Sequence, residues 1–188
     1  MKSWAFRLSV LAVLLACAES AELEVAGVPN FHPVNEHIYR GGQPSPQGFH
    51  SLAKLGVKTI VDLRNGAERD AESGAVQREG MRYFHVPMAG VGAPTEQQVS
   101  SVLHVLDDST SWPVFLHCRR GADRTGTIAA CYRIAHDGWD NQKALDEARI
   151  YGMSWTERAM QHYILTFTAH LALIADPATP VSQDKAVQ

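Results

Sequence analysis

The chain has 188 residues, 17 of them Lys or Arg and 20 Asp or Glu, for a formal net charge of −3. Hydrophobic residues make up 45%, charged ones 20% and aromatics 8%, the composition of one compact globular domain. No run of like charge and no basic surplus marks a nucleic-acid partner, and three cysteines (Cys17, Cys118, Cys131) are too few for a disulfide framework.

The first segment reads as a targeting signal. Lys2 and Arg7 flank the start, and residues 8–16 (LSVLAVLLA) are apolar or small apart from Ser9. At roughly 1.5 Å per helical residue, this run is too short to cross a bilayer core of ~30 Å. Residues 1–16 are therefore expected to be a secretory signal peptide. Leu14-Leu15-Ala16-Cys17 has the form of a bacterial lipobox, which would acylate Cys17 and anchor an exported protein in the cell envelope. Ala16-Cys17-Ala18 also suits ordinary signal peptidase, which would release a soluble periplasmic chain. Loss of Lys2 and Arg7 leaves a mildly acidic mature chain. Residues 17–36 are polar, hold two prolines, and read as a tether or arm.

From Ile38 onward strand and helix signals alternate. Residues 38–40 read as a short strand ending in a turn at Gly41-Gly42. Residues 46–55 read as a helix with Phe49, Leu52 and Leu55 on one face, stopped by Gly56. Residues 57–63 form a β-branched strand, 67–79 a polar helix and 81–86 another strand. The Gly-rich stretch 88–94 is a loop. Thr95 is the expected N-cap of a helix through Asp107, with Val99, Val102, Leu103 and Leu106 as its apolar stripe. Residues 113–116 (PVFL) are a further buried strand. Helices follow over 125–136, 141–151 and about 156–174, with Trp155, Tyr163, Phe167 and Leu171 as a packing face. The tail, 176–188, is expected to fray. Strands separated by helices predict an α/β fold: one domain over 37–175 with a central, mostly parallel sheet flanked by helices.

The chemistry concentrates after PVFL. His117-Cys118-Arg119-Arg120-Gly121-Ala122-Asp123-Arg124-Thr125-Gly126 is a strand end, a tight loop around a central Gly, and a helix start. Such a loop curls backbone N–H groups around an anion and adds the positive end of a helix. A thiol at Cys118, under that concavity, is expected to be a thiolate at neutral pH. Arg124 can fork two hydrogen bonds onto phosphate oxygens, and Thr125 can give its hydroxyl to the sulfur. The set describes nucleophilic attack on phosphorus. No metal or cofactor is called for, because a thiolate is already a good nucleophile.

This run resembles the signature of the cysteine-dependent protein tyrosine and dual-specificity phosphatases, His-Cys-x2-Gly-x2-Arg-[Ser/Thr]. Upstream, Tyr39-Arg40-Gly41-Gly42-Gln43-Pro44 and Thr59-Ile60-Val61-Asp62-Leu63-Arg64 resemble the N-terminal half of a compact dual-specificity-like group that includes bacterial members. The likeness spans about residues 37–170. It implies that family's phosphatase fold, with the signature loop at the carboxyl edge of the sheet. It also implies Cys118 as the nucleophile that forms a phosphocysteine, and Arg124 as the residue that binds phosphate and stabilises the transferring group. The backbone and side chains of Arg119, Arg120, Gly121, Ala122, Asp123 and Arg124 would form the phosphate cradle. His117 would orient the loop and help hold the thiolate, and Thr125 would assist the departing sulfur.

One departure concerns the proton donor. Relatives place an aspartate about thirty residues before the nucleophile; here that stretch (HVPMAGVGAPTEQQ) holds no Asp and a single acid, Glu96. Asp123, inside the signature loop, is the alternative; it would otherwise pair with an arginine or cap the helix. Asp107 and Asp108 are weaker candidates. Cys131 reads as core. Gly121 to Gly126 approaches a nucleotide-binding loop but lacks its Lys, and a sulfur-transfer loop would lack the Arg-Thr end. The other open reading is a catalytically weak phosphate-binding module. Arg119 and Arg120 make a basic rim that suits a phosphorylated protein, lipid headgroup or inositol phosphate as partner. A monomer is expected.

Overall fold

The structure is a computed structural model that describes residues 24–66 and 69–169. The expected signal peptide, Cys17 and the tail 176–188 lie outside the described residues. Five strands form one sheet in the order β1-β2-β5-β3-β4. They are β1 (His32–Pro33), β2 (Ile38–Gly42), β3 (Thr59–Asp62), β4 (Arg82–His85) and β5 (Val114–Cys118). The last four run parallel, and β1 pairs antiparallel with β2 at the edge. Around them lie α1 (Pro46–Lys54), α2 (Arg69–Arg78), α3 (Glu96–Asp107), α4 (Asp123–His136), α5 (Asn141–Ile150) and α6 (Arg158–Thr166). This is the expected α/β domain with a mostly parallel sheet.

A parallel sheet covered on both faces needs strands that are apolar on both. Thr59–Asp62 and Val114–Cys118 meet that demand: every residue in both is buried. Alternation along β5 then splits the core. Val114, Leu116 and Cys118 face a cluster with Val61, Leu63, the α3 stripe and Ile128 of α4. Phe115 faces the other side, with Ile60, Tyr83, Phe49 and Leu52 of α1 and Val76 of α2. His117 shares that second face, its ring stacked on Phe115 at 5.7 Å between centroids. Outside α4, an outer layer packs Ala144, Leu145 and Ala148 of α5 with Met160 and Ile164 of α6. Caps fix the helix starts. Thr95 and Gln98 form the reciprocal capping box of α3, and the Ser45 and Asp140 side chains cap α1 and α5.

Three expectations need correction. The strand read over 38–40 continues through Gly41 and Gly42, because both glycines pair with β5 rather than turn. The segment expected as a tether or arm over 17–36 is, from residue 24, part of the domain. Val28 and Phe31 enter one core cluster and Val34 the other; their spacing of three, interrupted by Pro29 and Pro33, reads neither as a helix face nor as a strand. Trp155 is not packed: it is 78% exposed, whereas Tyr163 and Phe167 do join the core. Leu171 lies outside the described residues.

Candidate active site

β5 is the central strand, with Gly42 of β2 opposite Cys118 and Asp62 of β3 opposite His117. Cys118 therefore sits at the carboxyl edge of the sheet, only 2% exposed. Between it and α4, the carbonyls of Arg119, Arg120 and Gly121 are engaged from outside. The Gln43 backbone N–H donates to the Arg119 carbonyl at 3.2 Å. Asn30 Nδ2 donates to the Arg120 and Gly121 carbonyls at 3.4 and 3.1 Å, and Arg40 Nη2 to the Gly121 carbonyl at 2.9 Å. Carbonyls turned outward leave the intervening N–H groups facing inward, as in an anion-binding nest. No side chain caps the start of α4 at Ala122, so the N–H groups of its first turn are left for a ligand.

Gly121 makes this loop possible. Its φ is +72°, and a Cβ there would lie 2.4 Å from the Gly41 carbonyl carbon and the Gly42 nitrogen. The loop thus lies flat on the two glycines of β2. Arg40 is the strut beneath it. The side chain is fully buried over the Tyr151 ring at 4.8 Å, and burial pushes its pKa down only to about 10. A permanent positive charge therefore stands under the loop at neutral pH.

The residues singled out from the sequence gather here. Arg124 is half-buried at the carboxyl edge, its Nη1 making long hydrogen bonds to the Leu63 and Met88 carbonyls at 3.4 and 3.3 Å. Thr125 is buried, and its hydroxyl has no hydrogen-bond partner among the described residues, Cys118 included. Asp123 is buried with both oxygens engaged: Arg120 Nη2 donates to one at 2.5 Å, and the Ser154 N–H to the other at 2.8 Å. The Arg120 side chain is nevertheless 63% exposed, on the rim beside exposed Arg119. Glu96 is exposed at the first position of α3. Asp107 pairs with His136, and Asp108 caps the short 3₁₀ turn just before β5. Both lie toward the amino end of β5, away from Cys118. Cys131 is fully buried, and desolvation pushes its thiol well above the ordinary range, as befits core.

Behind the loop, on the Phe115 face, lies a buried charged cluster that sequence reasoning missed. Asp62 accepts two hydrogen bonds from the Arg64 side chain and one from the Tyr83 hydroxyl at 2.8 Å. Arg64 also pairs with Glu72 of α2, whose other oxygen lies 2.9 Å from His117 Nε2. Asp62, Glu72 and His117 are close enough together to suggest a metal site, but the Arg64 guanidinium already occupies the cation's place between the carboxylates. Burial alone would raise the Asp62 carboxyl, yet the Arg64 hydrogen bond and His117 hold it below the usual range. Burial and Asp62 push the Tyr83 hydroxyl far up.

A family model described as "DSP-PTPase phosphatase fused to NAD+ Kinase" matches residues 24–165. The chain belongs to this DSP-PTPase phosphatase family. Arabidopsis thaliana inositol diphosphatase DSP5 is 28% identical over 138 residues, covering 71% of this chain and 67% of the relative. Pseudomonas aeruginosa dual specificity protein phosphatase TpbA is 33% identical over 119 residues, covering 63% of this chain and 52% of its own. A crystal structure of TpbA in complex with phosphotyrosine superposes with a TM-score of 0.69 at 26% identity, over 86% of this chain and 99% of that one. The core catalytic domain of the PP-IP phosphatase SIW14 from S. cerevisiae, in complex with citrate, gives 0.69 at 25% identity, over 77% and 89%. The chain spans between about half and four fifths of the length of the curated relatives it matches.

Proposed function

We propose that the protein is an exported, cysteine-dependent phosphatase that hydrolyses phosphate monoesters through a phosphocysteine. The observation that carries this is the loop after Cys118, three of whose carbonyls are bonded from outside, beside a buried sulfur at the carboxyl edge of the sheet and a helix start that no side chain among the described residues caps. In the first step the Cys118 thiolate attacks phosphorus and the P–O ester bond breaks. The leaving oxygen takes a proton from a nearby acid, for which Asp123 is the first candidate. In the second step water attacks phosphorus and gives a proton to the carboxylate that the first step left, the P–S bond breaks, and the sulfur departs as thiolate with help from the Thr125 hydroxyl. Arg124, the loop amides and the α4 terminus balance the charge on the transferring oxygens. Buried Arg40 adds a fixed positive charge from below.

The substrate class is a phosphate ester with a charged or aromatic carrier: phosphotyrosine in a protein, or an inositol phosphate or phosphoinositide. Arg119 and Arg120 favour such carriers through their charge on the rim. Relatives that act on inositol diphosphates, and the phosphotyrosine complex of TpbA, support both arms. The test is a panel of 4-nitrophenyl phosphate, a phosphotyrosine peptide, a phosphoinositide and inositol hexakisphosphate, each with and without EDTA. Turnover unaffected by EDTA is expected, because every step above uses the chain's own groups. A requirement for a divalent ion would overturn the mechanism. Vanadate binding without turnover of any ester would reduce the protein to a phosphate-binding module.

The N-terminal segment supports a location in the bacterial cell envelope, with Cys17 as the lipid anchor. Wild-type protein is expected in the membrane fraction, and Cys17→Ala in the soluble envelope fraction. Wild-type protein that is already soluble after export would sink the anchor.

A further inference from the structure

The charged cluster behind the loop has a defined charge balance. His117 is fully buried, and both of its ring nitrogens face oxygen. Nε2 lies 2.9 Å from Glu72 Oε1, and Nδ1 lies 3.4 Å from the Cys118 carbonyl oxygen. A ring protonated at Nδ1 alone would set the Nε2 lone pair against a carboxylate oxygen, whereas protonation of both nitrogens makes that contact an ion pair. Among the described residues neither Nε2 nor Glu72 Oε1 makes a hydrogen bond, so their 2.9 Å approach is an ion-pair contact rather than an aligned hydrogen bond.

The groups facing the ring come from every element packed around it. β3 brings Asp62, 4.0 Å from Nε2, and Arg64 follows just after that strand. Glu72 comes from α2 and Tyr83 from β4; Phe115 and Cys118 flank the ring on β5 itself. Asp62 is ionised, since Arg64 holds its carboxyl low. Burial works against the Arg64 charge, but Asp62 and Glu72 more than offset it, so the guanidinium stays protonated. The Tyr83 phenol stays neutral and donates to Asp62. Two carboxylates thus face one guanidinium in a dry site, where an unbalanced charge is costly. A protonated His117 supplies the missing charge.

We propose that Glu72 is a positioning residue for the nucleophile: it holds His117 as an imidazolium at the base of the cradle, and that charge favours the Cys118 thiolate. The inference rests on the reading of Cys118 as the nucleophile. Glu72 does not touch the substrate; it acts through His117, one residue from the sulfur but on the other face of β5.

Glu72→Gln keeps the shape of the side chain and removes its charge. Alkylation of Cys118 by iodoacetamide, followed by mass, reports the thiolate without any substrate. At pH 6 the Gln variant is expected to alkylate roughly tenfold more slowly than wild type, and at pH 9 within about twofold of it. kcat/KM for 4-nitrophenyl phosphate should show the same loss on the acid side only. Glu72→Asp, which keeps the charge, should recover most of the pH 6 rate. Equal losses at both pH values, or no loss at either, would overturn the proposal. Ring-nitrogen NMR shifts of His117 in the wild-type protein give a check that needs no variant. Doubly protonated shifts at pH 7 are expected, and a neutral ring overturns the idea. Turnover surviving in Cys118→Ser would instead defeat the nucleophile reading, an outcome the His117 spectrum does not depend on.

Discussion

Replacing Cys118 with Ser is expected to lower kcat by on the order of 10⁴-fold or more while leaving vanadate and phosphate binding nearly intact. A serine hydroxyl at this position remains protonated at neutral pH and has no base hydrogen-bonded to it. The anion site is built from other parts. The loop carbonyls are held by Gln43, Asn30 and Arg40, none of which depends on the sulfur. Arg124→Ala separates the two roles, because it should weaken oxyanion binding as well as turnover. Calorimetric titration with vanadate beside a 4-nitrophenyl phosphate assay reads both quantities. Residual turnover near wild type in Cys118→Ser would mean that another group attacks phosphorus.

The fold was legible wherever a segment had to be apolar on a fixed period. β3 and β5 are covered on both faces and so appear as unbroken β-branched and apolar runs. The α3 stripe emerged except for Val105, which also enters the core, because one face of that helix meets the core and the other meets water. The arm before β2 was not legible. Its buried residues, Val28, Phe31 and Val34, are divided between two core clusters, and a spacing of three across Pro29 and Pro33 signals neither a helix face nor a strand. The end of β2 was misread for a related reason. Gly41 and Gly42 look like a turn, but they are glycines because Phe115, Pro29 and the loop at Arg120 press against them.

The site divided along the same line. Cys118, Arg124, Thr125 and the loop backbone are contiguous in sequence, so a short motif revealed them. Arg40, Asn30 and Glu72 come from three distant segments and meet the motif only in the folded sheet. Glu72 was the hardest to see. It lies on a helix of low overall hydropathy, among Arg69, Asp70 and Gln77, where a buried carboxylate looks like any solvated one. The faint signals were Arg40 before the Gly pair and Asp62-Leu63-Arg64 at the end of β3. Both put charge beside strands that are otherwise buried, and such charge persists only when it is paired.

Asp123→Asn is expected to lower kcat for a phosphotyrosine peptide by about 10²–10⁴-fold, the range a positioned general acid contributes. The loss should be far smaller for 4-nitrophenyl phosphate, whose leaving group needs little protonation. In the free protein both Asp123 oxygens accept hydrogen bonds, one of them from Arg120. Donating a proton therefore requires Arg120 to let go. Its side chain is mostly exposed on the rim, where the charge of an incoming phosphate competes for the guanidinium. Asn at this position can still accept from the Ser154 N–H, so the link from the loop to the segment after α5 survives while the proton does not. A proton donor also imposes a falling limb at high pH on the rate profile, and the Asn variant should lack it. Equal losses on both substrates with the limb unchanged would make Asp123 a tie between the loop, Arg120 and Ser154. The acid would then be sought at Glu96, which stands exposed at the start of α3, just after the Gly-rich loop that leads on from Met88, whose carbonyl Arg124 contacts.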